Sequence, residues 1–148
     1  MNQTRQLTKS MTMGDAAVDG LLGGLGASIV MALVLVVLGL TGGQAPLSTL
    51  IHFDPSGSSA LTGALMHLAA GGVYGALFGM GWHLAARSNL PGWLAGIIYG
   101  LALLALAEGV ILPGAHSPLL AIPLWQFAIA HIVYGLTMGW SLNRKWRD

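Results

Sequence analysis

Gly63-Ala64-Leu65-Met66-His67-Leu68-Ala69-Ala70-Gly71-Gly72-Val73-Tyr74-Gly75-Ala76-Leu77-Phe78-Gly79 carries no charged residue, and it places Gly63, His67, Gly71, Gly75 and Gly79 at four-residue intervals. Residues four apart share one helix face, so this stretch reads as a helix with a glycine stripe interrupted by one imidazole. In water such a helix would be weak, because each interior glycine costs about 0.5–1 kcal/mol relative to alanine. In a bilayer the same stripe is an asset. Small faces let helix backbones approach closely while the bulky faces meet lipid. The motif Val73-Tyr74-Gly75 followed by Gly79 recurs as Val133-Tyr134-Gly135 followed by Gly139. That recurrence points to a duplicated unit.

Outward from this stretch, four apolar segments divide the chain, at residues 18–40, 61–84, 93–112 and 119–142. Each is about 20 residues or more, enough at about 1.5 Å per residue to cross a hydrocarbon core of about 30 Å. The composition agrees. Of 148 residues, 55% are hydrophobic and 7% charged, whereas soluble domains carry about 25% charged residues. Too few charges exist to coat a water-facing surface. The first segment is read as a retained helix rather than a cleaved signal sequence, since its apolar run is long and no small-residue cleavage site precedes a soluble domain.

All six basic residues fall on one side of such a layout. Arg5 and Lys9 precede the first segment, Arg87 lies between the second and third, and Arg144, Lys145 and Arg147 follow the fourth. The connections at residues 41–60 and 113–118 contain neither Lys nor Arg. The positive-inside rule then predicts a multi-pass protein of a prokaryotic cytoplasmic membrane with both termini in the cytoplasm. The fold class is all-α: four transmembrane helices in a compact bundle, built as two helical hairpins repeated in parallel. The repeat pairs Gly20-Leu21-Leu22 with Gly92-Trp93-Leu94. Residues 1–14 are expected to form a disordered cytoplasmic N-terminus, residues 15–142 the membrane domain, and residues 143–148 a basic cytoplasmic tail. In the outer connection, Ser58 or Ser59 is expected to cap the second helix, with His52 and Asp54 on a solvated turn. Pro123 is expected inside the first turns of the fourth helix, bending it slightly.

Every helix has a small-residue face. Candidate packing positions are Gly71, Gly75, Gly79, Gly96, Gly100, Gly135 and Gly139, beside the repeat motif Val73, Tyr74, Val133 and Tyr134. Three ionisable residues lie well inside the segments and on these faces: His67, Glu108 and His131. A charge at the bilayer centre costs about 3 kcal/mol on insertion scales, so these residues are expected to face the interior and find partners. Counted from the outer ends, His67 and Glu108 have similar depth and His131 lies about one turn deeper. A contact between His67 and Glu108 is therefore expected.

The chemistry open to these residues is limited. The chain has no cysteine, which removes disulfides, thiolate catalysis and Cys-based metal sites. No GxSxG, HExxH or phosphate-loop sequence is present, so no catalytic residue is assigned and an enzyme is not expected. The net charge of +1 gives no case for nucleic acid. No cofactor is assigned. The alternative is haem b held by His67 and His131, since haem iron takes imidazole ligands and helical bundles host the ring. A metal held by two His and one carboxylate has no spacing motif behind it.

His67, Tyr74-Gly75, His131 and Tyr134-Gly135 loosely resemble the pattern of small four-helix prokaryotic integral membrane proteins that carry His and Tyr-Gly in their even-numbered helices. The resemblance covers the membrane part and implies no established activity. The expected function is a structural or accessory subunit that packs against a larger membrane complex or itself, with the lipid bilayer and other membrane subunits or a homo-oligomer as partners. The alternative is a small membrane device, either a haem b electron carrier or a proton or small-solute transporter using His67, Glu108 and His131.

Overall fold

The structure, a computed structural model, describes residues 11–85 and 90–145, the side chains of the last two excepted. The first ten residues, most of the connection between the second and third segments and the end of the basic tail lie outside the described residues. Four long helices account for most of the chain: α1 (Met13–Thr41), α2 (Ala60–Leu84), α3 (Gly92–Leu106) and α4 (Leu124–Lys145). No strand occurs among the described residues. Met13–Thr41, Ala60–Leu84 and Gly92–Gly114 are long and apolar enough to cross a membrane. The chain is a membrane protein, all-helical where described.

The boundaries depart from the sequence reading at each end. Helix α1 starts at Met13, because Thr12 caps it. The Thr12 hydroxyl accepts from the Asp15 backbone N–H, and the Asp15 carboxylate accepts from the Thr12 N–H. This reciprocal pair satisfies donors that a helix start otherwise leaves open. Helix α4 starts at Leu124, five residues later than expected. Pro118–Ala121 form a 3₁₀ turn, and Ile122 is extended with ψ 128°. A residue before proline is pushed out of the α region, so Pro123 delays the helix instead of bending it. At its other end α4 continues through Asn143, Arg144 and Lys145, so much of the expected tail is helix.

Helix α4 is also less apolar than the other three, carrying Gln126, His131, Thr137 and Ser141. Gln126 and His131 are buried, Thr137 is half-buried and Ser141 is exposed. Gln126 Nε2 donates to Leu38 O, and Thr137 Oγ1 donates to Val133 O. This helix supplies much of the core, with Phe127, Ala130, Tyr134, Met138 and Leu142 buried.

The helices pack in the order α2–α1–α4–α3. Glycine carries two of these contacts. A Cβ on Gly24 would lie 2.7 Å from Gly75 Cα, and one on Gly20 would lie 2.9 Å from Gly79 Cα. In the second hairpin, a Cβ on Gly96 would lie 3.0 Å from Gly139 Cα, and one on Gly100 would lie 3.4 Å from Gly135 Cα. The two glycine seams match when Gly20 is paired with Gly96 and Gly24 with Gly100. The odd helices are therefore related one turn further along than the sequence match of Gly20 with Gly92. The even helices keep the Gly75–Gly135 match. Apolar identity in Gly/Ala/Leu segments does not fix a register, whereas backbone contact does.

The consecutive helices α2 and α3 do not pack closely along their backbones. Side chains bridge them instead. Tyr99 donates its hydroxyl to Tyr74 O at 2.7 Å, and the Phe78 and Tyr99 rings lie 4.9 Å apart. Beyond this bridge the two helices leave a cleft.

Candidate functional site: a histidine-lined cavity between α2 and α3

The cleft opens into a cavity of about 250 Å³. Its walls come from α2 through Met66, His67, Ala70 and Tyr74, and from α3 and its continuation through Leu103, Ala107 and Ile111. Its floor is Ser28 and Met31 of α1 with Phe127, His131 and Tyr134 of α4. Met66 and Ile111 are also exposed on the outside of the protein, at 48% and 42%, so the rim faces the medium that surrounds the helices. Phe53, from the connection between α1 and α2, covers the end.

Both histidines are more than nine-tenths buried, His67 at 6% exposed and His131 at 8%. Each spends one ring nitrogen on a backbone carbonyl. His67 Nε2 donates to Ser28 O at 2.9 Å, and His131 Nδ1 donates to Phe127 O at 2.8 Å. Each ring also packs edge-on against a phenylalanine. Phe53 lies 4.5 Å from His67 and Phe127 lies 4.5 Å from His131, centroid to centroid. The two imidazoles are thus held alike, although they occupy non-equivalent places in the repeat. Ser28 lets α1 reach the site. Its hydroxyl folds back onto Gly24 O at 2.7 Å, and its carbonyl is left for His67.

Tyr134 completes the lining. It is 3% exposed and donates its hydroxyl to Gly71 O at 2.7 Å. Its partner in the repeat, Tyr74, is half-buried and lends only its carbonyl, to Tyr99. The duplicated motif has therefore diverged in use. Val73 faces outward at 59% exposed, and Val133 is intermediate. The packing glycines Gly71, Gly75, Gly79, Gly96, Gly100, Gly135 and Gly139 are all buried at helix contacts.

The expected partnership of His67 with Glu108 is replaced. Neither histidine hydrogen-bonds to Glu108 among the described residues, and Glu108 does not line the cavity. Helix geometry explains why. Consecutive helical residues point about a quarter-turn apart, so with Ala107 in the cavity wall Glu108 points to one side of it. Leu103, Ala107 and Ile111 are the residues turned toward the cavity. Glu108 sits in a π-helical turn, Ala107–Ile111, and its Oε1 is buried without a hydrogen-bond partner. The three ionisable residues thus split into a histidine pair and a separate carboxylate. No group of three or more His, Cys, Asp or Glu able to hold a metal occurs among the described residues. For haem, His67 and His131 do line one cavity, but a tetrapyrrole is far larger than its volume, and His67 already uses Nε2 on Ser28.

A second polar centre lies on the connection between α1 and α2. Asp54 is 3% exposed, not solvated as expected from its turn sequence. Its carboxylate accepts from Ser56 Oγ at 2.7 Å and from the backbone N–H groups of Ser56, Ser58 and Ser59 at 2.9–3.1 Å. These bonds hold the carboxyl well below the usual carboxylate range. The turn then delivers Ser59, whose hydroxyl accepts from Thr62 N–H and caps α2. This centre is structural: it positions Phe53 and the start of α2. Neighbouring His52 keeps its Nδ1 buried without a partner.

Sequence reasoning missed Ser28, Phe53, Phe127 and the interior role of Tyr134. A signal existed for three of them. Ser28 continues the four-residue spacing of Gly20 and Gly24, and Phe127 and Tyr134 flank His131 at i−4 and i+3, the spacing of one helix face. Phe53 comes from a distant segment, and no local pattern marks it. Comparison with protein-family models, with curated proteins and with solved structures finds no match.

Proposed function

We propose that this chain is a four-pass protein of a prokaryotic cytoplasmic membrane, with both termini inside, that binds a small lipid-soluble molecule between α2 and α3. The observation that carries this reading is the cavity itself, with two deeply buried histidines in its lining and a rim that includes exposed apolar residues. A bundle whose task was packing alone would close such a gap with Leu or Phe, as voids cost stability. The arrangement of helix ends supports the topology. The N-terminal part of α1 lies beside the C-terminal part of α2, and Gly92 of α3 lies beside Asn143 of α4. The segments bearing all six basic residues join this one end.

Native mass spectrometry of the protein in mild detergent tests the binding reading. The wild-type chain is expected to carry one small adduct, and Ala107→Phe and Ala70→Phe, which fill the cavity from opposite walls, are expected to lose it. A bare chain in all three samples would overturn the reading.

A second role, accessory subunit or homo-oligomer, is favoured by Glu108. Its Oε1 is buried without a partner, which is costly inside an apolar helix, while the residue as a whole is only half-buried, so a donor from a neighbouring subunit has access to the rest of the carboxylate. Under this reading the native mass exceeds the monomer, and Glu108→Leu returns it to monomer. A monomeric wild-type protein would remove it.

A further inference from the structure

The donors and acceptors of the cavity are unevenly matched. Five polar side chains line it: Ser28, His67, Tyr74, His131 and Tyr134. Four of them have spent a hydrogen on backbone carbonyls. Ser28 donates to Gly24 O, His67 to Ser28 O, His131 to Phe127 O and Tyr134 to Gly71 O. What each neutral imidazole has left is a lone pair, on Nδ1 of His67 and on Nε2 of His131. Neither nitrogen makes a hydrogen bond within the described chain, and neither is closed off as Glu108 Oε1 is. No carboxylate lines the cavity to offset a charged imidazole, so the neutral ring is the form these walls accommodate. Only the Tyr74 hydroxyl retains a hydrogen that is not already committed.

The remaining walls are apolar and aromatic. They include Met31, Leu103, Ile111 and the two phenylalanines that pack edge-on against the histidines. A dry apolar cavity of about 150 Å³ holds a benzene molecule, so a volume of about 250 Å³ suits a single ring with a short substituent. A ligand entering between α2 and α3 arrives from the hydrocarbon, so it is lipid-soluble.

Resting on the binding reading above, we propose that the cavity selects small aromatic alcohols, the class of phenols and quinols, by accepting their hydroxyl hydrogens on His67 Nδ1 and His131 Nε2. The site discriminates by hydrogen-bond polarity. A ring of the same shape that brings a methyl group leaves both lone pairs buried and unmatched, and a ring that brings only a carbonyl sets acceptor against acceptor.

The test uses 4-propylphenol and 4-propyltoluene, which differ by OH against CH₃. Binding to the full-length protein in mild detergent is measured by equilibrium dialysis, corrected with empty micelles. The phenol is expected to bind about ten-fold more tightly than its isostere, the upper end of what one net hydrogen bond supplies. A phenol has one hydrogen to give and two imidazoles to accept it, so His67→Phe and His131→Phe, which keep ring packing, are expected to erase that preference when combined, with the toluene still bound. Because the double variant risks misfolding, ¹⁵N-histidine spectra of the wild-type protein give a second readout. The phenol is expected to shift the unprotonated ring nitrogens, and the toluene is not. Equal binding of both probes, abolished by Ala107→Phe, would overturn the hydroxyl selectivity and leave the cavity reading standing. Binding of neither probe would overturn the selectivity, and an adduct-free native mass would then also remove the cavity reading.

Discussion

Glycines in this chain divide sharply by what a methyl group would meet. At Gly24 a Cβ would press on Gly71 O and Gly75 Cα, which are backbone atoms with nowhere to move except by parting the helices. At Gly26, two residues along α1, it would meet nothing within 4 Å. Gly24→Ala is therefore expected to destabilise the protein by about 1–3 kcal/mol, the cost of overpacking a tight contact. Gly26→Ala is expected to be neutral or slightly stabilising, since alanine favours the helix by about 0.5–1 kcal/mol. Thermal melts in one detergent compare the two, and equal melting points would refute the glycine seam. Asp54 gives a pH-dependent counterpart. Its folded carboxyl is held below the ordinary value of 3.8, so the stability it contributes is present above that value and is lost as the pH falls through and below it. Between pH 7 and pH 3 the wild-type melting point is expected to drop further than that of Asp54→Asn, which has no carboxylate to protonate. Parallel losses would show that the charge is not what the turn relies on. The burial of Asp54 was not legible from Asp54-Pro55-Ser56-Gly57-Ser58-Ser59. The same letters serve an exposed turn, and only the wrapping of residues 56–59 around the side chain, with the loop backbone set against Gly63 of α2, takes the carboxylate out of water.

Helices meet here through two devices, glycine seams within each hairpin and hydroxyl-to-carbonyl bonds between hairpins. Tyr134 of α4 reaches Gly71 O of α2, and Tyr99 of α3 reaches Tyr74 O of α2. Interhelical hydrogen bonds in membranes average about 0.6 kcal/mol and reach about 1.7. Tyr134→Phe is expected near the upper figure, since it leaves the Gly71 carbonyl buried, and Tyr99→Phe near the average. Unfolding in mixed micelles measures both, and a larger loss at Tyr99 would invert this ranking. The start of α2 is a third element-level feature. Ser59→Ala removes a cap and is expected to cost about 1 kcal/mol, whereas Ser58→Ala leaves the cap in place. Element existence was legible from apolar length and glycine spacing. Element ends were less so, because a capping pair such as Thr12–Asp15 lies outside the apolar run, and because Pro123 stops α4 from starting with its apolar residues. The π-helical turn around Glu108 leaves no mark in the sequence that distinguishes it from ordinary helix.

At the scale of the molecule, the proposed topology makes a direct statement about sidedness. Reporter fusions after Asp148 are expected to read cytoplasm, and fusions within residues 55–59 the opposite side. A C-terminal fusion that reads outside would overturn the four-pass layout. The sequence by itself determined that this is a helical membrane protein, because an apolar excess and a scarcity of charge are properties of composition that no arrangement can undo. It also marked the residues of the glycine seams and singled out His67 and His131, since four-residue spacing places side chains on a face before any partner is known. The tertiary structure alone decided which faces meet. It moved the repeat register of the odd helices by one turn and set α1 and α4 at the centre of the row. It also left Glu108 off the cavity wall and gave both histidines backbone carbonyls as partners instead. The physical reason is the same in each case. Spacing along a helix fixes direction around its own axis, but the partner across an interface is chosen by backbone approach and by which carbonyls lie within reach of a donor. Ser28 O, Gly71 O and Phe127 O are such carbonyls, and no side-chain pattern announces them.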